Sequence, residues 1–177
     1  MKTKNERLTH PVWEFYDYFR TARYRVKAYG RKVYYLEKTD FYLNISLALF
    51  TPSSALAGIL LENDIGEIVW KSLITIASVI AVIKPFLRIE KNLNKFNKSL
   101  SICNSIFNRL DDLRIQIVED RGYNNKHKRK FAEIRDYYQE SSNLISLLNL
   151  SKATQYKLYN QVNKEYPYSN FFVPDDL

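Results

Sequence analysis

Two long apolar stretches stand out in a chain that is otherwise dense in charge. Phe41 to Leu61 reads FYLNISLALFTPSSALAGILL without a charged residue, and Ile68 to Leu87 reads IVWKSLITIASVIAVIKPFL. At a rise of about 1.5 Å per residue, about 21 residues span the hydrocarbon layer of a bilayer. The uncharged centre of the second run, Ser72 to Ile83, is short for a span. Lys71 and Lys84 can lay their aliphatic stems along the apolar surface and restore a length of about 20 residues. Trp70 suits an interfacial position. Between the runs lies the acidic turn 62–67, Glu62-Asn63-Asp64-Ile65-Gly66-Glu67. The pattern predicts an all-α chain: a two-helix transmembrane hairpin (spans 41–61 and 68–87) continued into a long-helix cytoplasmic bundle.

Charge placement orients the hairpin. Lys27, Arg31, Lys32 and Lys38 precede the first run, while Lys84, Arg88, Lys91, Lys95 and Lys98 end or follow the second. Lys/Arg excess marks the cytoplasmic side, so both termini are expected there and the acidic turn crosses. The competing arrangement is a hairpin buried in a soluble helical bundle. The remaining apolar faces are too few to enclose two greasy helices on all sides.

Both expected spans carry a small or polar stripe. Asn44, Ala48, Thr51, Ala55 and Gly58 recur four and three apart, on one face of a helix, and Pro52 predicts a kink. In the second span Lys71, Thr75 and Ser78 share a face, with Ala77 and Ala81 beside it. Such stripes serve close helix packing or, when several hairpins associate, line a polar path. Either use implies a homo-oligomer. The candidate seam is therefore Asn44, Thr51, Pro52, Ala55, Gly58, Lys71, Thr75 and Ser78.

The flanking regions read as helices. In the region 1–40, Val12, Phe15 (or Tyr16), Phe19, Ala22, Val26, Tyr29, Val33 and Leu36 keep a helical period, and this helix is expected to enter the membrane without interruption. In the helical region 89–165, Leu93, Phe96, Leu100, Cys103, Phe107, Leu110 and Ile117 form a narrow seam. It belongs to a long helix expected to continue the second span directly. A turn at Arg121–Asn125 precedes a helix expected from about Lys128 to Leu150, with Phe131, Ile134, Tyr138, Ile145 and Leu148 on its apolar face. Ser151 can cap a last helix to about Glu165. The tail, 166–177, reads as extended and aromatic, suited to docking on its own surface or a partner's.

Composition narrows the chemistry. The 177 residues carry a formal net charge of +8, which favours an acidic partner. Candidate contacts to an anionic ligand or lipid are Arg31, Lys32, Lys84, Arg88 and the cluster Lys126, His127, Lys128, Arg129 and Lys130. One cysteine and two histidines leave no disulfide and no recognisable metal motif. No phosphate loop or nucleophile motif is present, and Asp111 and Asp112 point to different faces of a helix. The expectation is no enzyme, no cofactor and no small-molecule substrate, with the lipid bilayer as partner.

This arrangement resembles a bacterial family, the SMODS- and SLOG-associating two-transmembrane effectors (SLATT). The likeness lies in TARYRVKAYGRKVYYLEKTDFYLN leading into the first span, the turn ENDIGE, VIKPFLRIEKNLNKF leaving the second, and a helical remainder ending near NKEYPYSNFF. It implies a toxic effector of conflict and antiphage systems in the bacterial inner membrane. A protein encoded alongside, such as a nucleotidyltransferase, a nucleotide-sensing SLOG protein or a reverse transcriptase, would restrain or trigger it. The alternative is a non-pore membrane anchor whose cytoplasmic helices recruit a soluble partner.

Overall fold

The computed structural model describes residues 10–49 and 64–174. All regular structure among them is helical: α1 (Val12–Leu49), α2 (Asp64–Leu87), α3 (Ile89–Glu119), α4 (Asn125–Ser141) and α5 (Lys152–Glu165), with 3-10 turns at Ser142–Leu144 and Tyr168–Asn170. The all-α expectation holds. Of the expected first span, 41–61, only the part up to Leu49 lies within the described residues. The chain divides into two compact units, one joining the residues up to Arg31 with those from Phe96 onward, the other comprising Lys32–Lys95.

The first unit is held by the apolar faces of α1, α3 and α4. Val12, Phe15, Tyr16 and Phe19 of α1 are fully buried, with Ala22, Tyr29 and the α3 residues Leu110, Leu113 and Ile117 also buried. The start of α1 is ordered by His10, whose Nδ1 accepts the Val12 N–H at 3.1 Å. In α3 the buried stripe is wider than the expected seam, because Ser99, Ile106 and Leu113 join Cys103, Phe107, Leu110 and Ile117. A narrow stripe serves one neighbour, whereas this helix packs in a core shared with both α1 and α4. Burial pushes the Cys103 thiol up to about 11, which keeps it a neutral core group.

α4 departs from expectation at both ends. It starts at Asn125, because the Asn124 side chain accepts the N–H groups of Lys126 and His127. The His127 Nδ1 in turn accepts the Asn124 N–H, which completes a capping box. The helix stops at Ser141 and does not reach Leu150. Beyond it Ser146 is claimed by tertiary bonds: its N–H donates to Ser99 Oγ at 3.0 Å and its carbonyl accepts the Tyr29 hydroxyl at 2.7 Å. A helix through Ser146 would have to give up both.

α5 runs from the Ser151 cap, whose hydroxyl accepts the Thr154 N–H at 3.3 Å. Its last turn is tied to α1: Glu165 meets Arg23 at 3.2 Å and Lys27 at 2.5 Å. The aromatic tail docks on its own chain. Phe171 stacks on Tyr16 with ring centroids 4.2 Å apart, and the Tyr168 hydroxyl donates to Asp17 at 2.8 Å. Burial of Phe171, Phe172 and Val173 against the core explains the choice, since an exposed aromatic tail would leave that area in water.

Candidate functional site

The second unit contains the helix with the composition of a membrane span. Over Gly66–Leu87, α2 is long and apolar enough to cross a bilayer, with mean hydropathy 1.8. Only 17% of its most apolar stretch is buried. Gly66, Trp70 and Ala77 form the buried stripe, flanked by half-buried Leu73, Ile74 and Ile80. Ile68, Ile76, Val79, Val82 and Phe86 are exposed. Of the acidic segment 62–67 expected as a turn, residues 64–67 are helical, because α2 begins at Asp64, and residues 62–63 lie outside the described residues.

The polar positions of α2 are satisfied within the helix. Thr75 and Ser78 are exposed, and their hydroxyls donate to the carbonyls of Lys71 at 2.8 Å and Ile74 at 2.9 Å. Lys71 is exposed and pairs with Glu67 at 2.6 Å. Back-bonded hydroxyls carry no unmet polar cost on an apolar surface, yet keep acceptor capacity for a neighbour. The candidate seam residues Thr51, Pro52, Ala55 and Gly58 lie outside the described residues.

Lys84 behaves differently from a side chain reaching towards headgroups. It is half-buried, its ammonium hydrogen-bonds Asn44, and it lies 3.7 Å from the Asp40 carboxylate. Asp40 also accepts from the Asn44 amide at 2.9 Å. One cation of α2 is thus held by an acid and an amide one turn apart on α1. Sequence reasoning found Asn44 and Lys84 but missed Asp40. The four-residue spacing of Asp40 and Asn44, both at the polar edge of an apolar run, was the available signal.

Immediately beyond, the helix breaks. Pro85 removes the N–H that would bond the Ala81 carbonyl, and Arg88 adopts φ 47°, the left-handed region. α3 therefore starts anew at Ile89, where a direct continuation of the second span was expected. A groove of about 550 Å³ opens at this elbow, lined by Lys84, Arg88 and Lys91 together with Asp40 and Glu90.

The other candidate cations are dispersed. Arg31 and Lys32 are half-buried and fall in different units. Lys126, Lys128 and Arg129 are exposed, and Lys130 donates to Gln116 at 2.6 Å. His127 is not part of a solvent-facing basic patch: it is fully buried, its Nδ1 engaged in the cap and its Nε2 lying 3.1 Å from Asp120. The helix start that the cluster forms needs a capping partner, and the imidazole supplies it. Among the described residues no group of His, Cys, Asp or Glu gathers to hold a metal.

No family model, curated protein or solved structure matches this chain.

Proposed function

We propose that this chain is a membrane effector of a bacterial conflict or antiphage system. Its hairpins insert into the inner membrane with both termini cytoplasmic, associate, and make the bilayer leaky when triggered. The observation that carries the reading is the exposure of α2. A helix of this hydropathy in the core of a soluble protein is mostly buried, whereas this one leaves its apolar side chains uncovered. Lipid is a solvent that accepts such a surface all round. The back-bonded hydroxyls of Thr75 and Ser78 and the small residue Ala77 give α2 the seam chemistry of helices that associate in membranes. A trigger that favours an open assembly by about 5.5 kcal/mol converts a 1:99 population to 99:1.

Induced expression with a membrane-potential dye tests the proposal, alongside carbonate extraction. The protein stays in the membrane pellet, cells depolarise and growth stops. The Ser78→Leu variant is extracted like the parent but depolarises less. Recovery of the parent in the soluble fraction, or full toxicity after removal of residues 41–88, refutes the proposal. A second reading, a non-pore anchor, is favoured by the separately compact helical unit, which exposes Tyr156 and Leu147 for a partner. Dye release from liposomes separates the two: an anchor releases none.

A further inference from the structure

Arg20 is 6% exposed, the one lysine or arginine among the described residues that is buried. A guanidinium is rarely taken out of water without a carboxylate beside it. Here Nη2 donates to the neutral side-chain oxygen of Asn163 on α5, and the Tyr168 ring covers one face, its centroid 3.7 Å from the guanidinium carbon. Nε is buried and has no partner among the described residues. Asp17, one turn earlier on α1, is exposed and accepts the Tyr168 hydroxyl at 2.8 Å. The same Arg20 lines a cavity of about 380 Å³. Asp17, Arg20 and Tyr24 reach it from α1, three and four residues apart and so on one helix face. Tyr159 and Val162 of α5 and Tyr168 of the tail line it from the other elements. All belong to the compact unit that does not contain α2. Val162 is buried, whereas Tyr159 and Tyr168 are 53% and 48% exposed, so aromatic surface is open to an entering molecule.

We infer that this cavity binds a small planar anion, a one- or two-ring aromatic molecule carrying a carboxylate or a phosphate. Arg20 sets the charge. It repels a cation, and a neutral molecule leaves it without a counter-ion, whereas an anion supplies the missing partner and accepts a charge-assisted hydrogen bond from Nε. Because Nε is sealed from solvent, the anion reaches it by displacing the Tyr168 side chain, whose hydroxyl bond to Asp17 is exposed. The tyrosines set the shape, since phenol faces stack on a flat ring. The volume suits a compact ligand. Asp17 repels the anion only weakly, because its exposed charge is screened by water and salt. The site needs neither insertion nor association of the chain, so it stands apart from the membrane reading.

Fluorescence anisotropy of naphthyl phosphate and of naphthoate, titrated with the full chain in nonionic detergent against detergent alone, tests the inference. The anisotropy of at least one probe is expected to rise and saturate with a Kd below about 1 mM. The tighter probe identifies the anionic group. Inorganic phosphate, which lacks the ring, is expected to compete about tenfold more weakly or worse, and naphthol, which lacks the charge, not to saturate. Arg20→Gln with native circular dichroism weakens binding about tenfold or more, and Arg20→Lys restores part of it. Tyr159→Ala weakens it about threefold, and Asp17→Asn, which removes a like charge, tightens it about twofold. No saturable rise with either probe, inorganic phosphate competing as well as naphthyl phosphate, or parental affinity in folded Arg20→Gln overturns the inference. If Arg20→Gln does not fold, Tyr159→Ala and Asp17→Asn decide, both at exposed positions, and parental affinity in the two overturns it.

Discussion

The hydroxyl of Tyr16 donates to the Phe172 carbonyl at 2.7 Å, joining the start of α1 to a point 156 residues later. The same tyrosine stacks on Phe171, and Phe171 meets Trp13 and Phe19 edge-on. The tail thus completes the core. Phe171→Ala is expected to cost about 2–3 kcal/mol, at the low end for a large truncation because the ring is half-buried. Tyr16→Phe is expected to cost about 1 kcal/mol, the worth of one hydrogen bond. Denaturant unfolding of the full chain in detergent measures both, and no loss for Phe171→Ala would show that the tail is dispensable to the core.

Alkaline titration follows from the same burial. Desolvation raises the phenols of Tyr16 and Tyr123 from 10.0 to about 12. With the folded value above the unfolded one, their contribution is full below pH 10 and is lost as pH rises through about 12. Tyrosinate absorbance should therefore show a late-titrating class that Tyr16→Phe and Tyr123→Phe each reduce. Titration of every tyrosine near pH 10 in the folded protein would contradict it.

Ser99 is fully buried, and its hydroxyl accepts the Ser146 N–H. Ser99→Ala leaves that buried donor unmet, at an expected cost of about 1–3 kcal/mol. The Ser146 amide should also exchange with solvent much faster than in the parent. Unchanged protection at Ser146 would mean that another group holds the segment.

Glu165 gives an acid-side dependence. Partial burial works against its ionisation, but hydrogen bonds from Lys27 and Arg23 prevail and hold its carboxyl below the ordinary 4.5. A depressed folded value means stability that is present above about pH 4.5 and lost as pH falls through the folded pKa. Glu165→Gln should lower the urea midpoint at pH 7, and the gap to the parent should close towards pH 3. The loss will be small, because the pair is partly exposed. A gap independent of pH would assign Glu165 a packing role alone.

Lys84 and Asp40 are expected to couple by about 0.5–1 kcal/mol, the range of partly exposed ion pairs. Asp40→Lys and Lys84→Asp each remove the pair and set like charges together. The double exchange restores it. Thermal unfolding in detergent should rank the double variant above both single ones, and a merely additive double variant would deny the coupling.

Much of the helical layout was legible in the sequence because it depends on local pattern. The α1 period from Val12 to Val33, the Ser151 cap and the end of the last helix near Glu165 all stand where spacing and capping chemistry put them. The misplaced boundaries depended on distant residues or on a backbone detail. α4 ends early because Ser99 and Tyr29 claim Ser146 from elsewhere in the chain. The α2–α3 elbow was half-visible in Pro85, but a left-handed Arg88 has no signature in composition.

By itself, then, the sequence determined that the chain is helical, that α2 has the length and hydropathy to cross a bilayer, and which faces of the flanking helices are apolar. Those properties are set by residue type and spacing over a few turns, where each side chain's neighbours are known from the helical repeat. Only the tertiary structure decided that Lys84 turns to Asp40 and Asn44, and that Ser99 and Tyr29 hold the backbone of Ser146. Each of these depends on which of several competing partners lies within about 3–4 Å, the range of a hydrogen bond or close ion pair. Chain closure over tens of residues sets that proximity, and no local pattern encodes it.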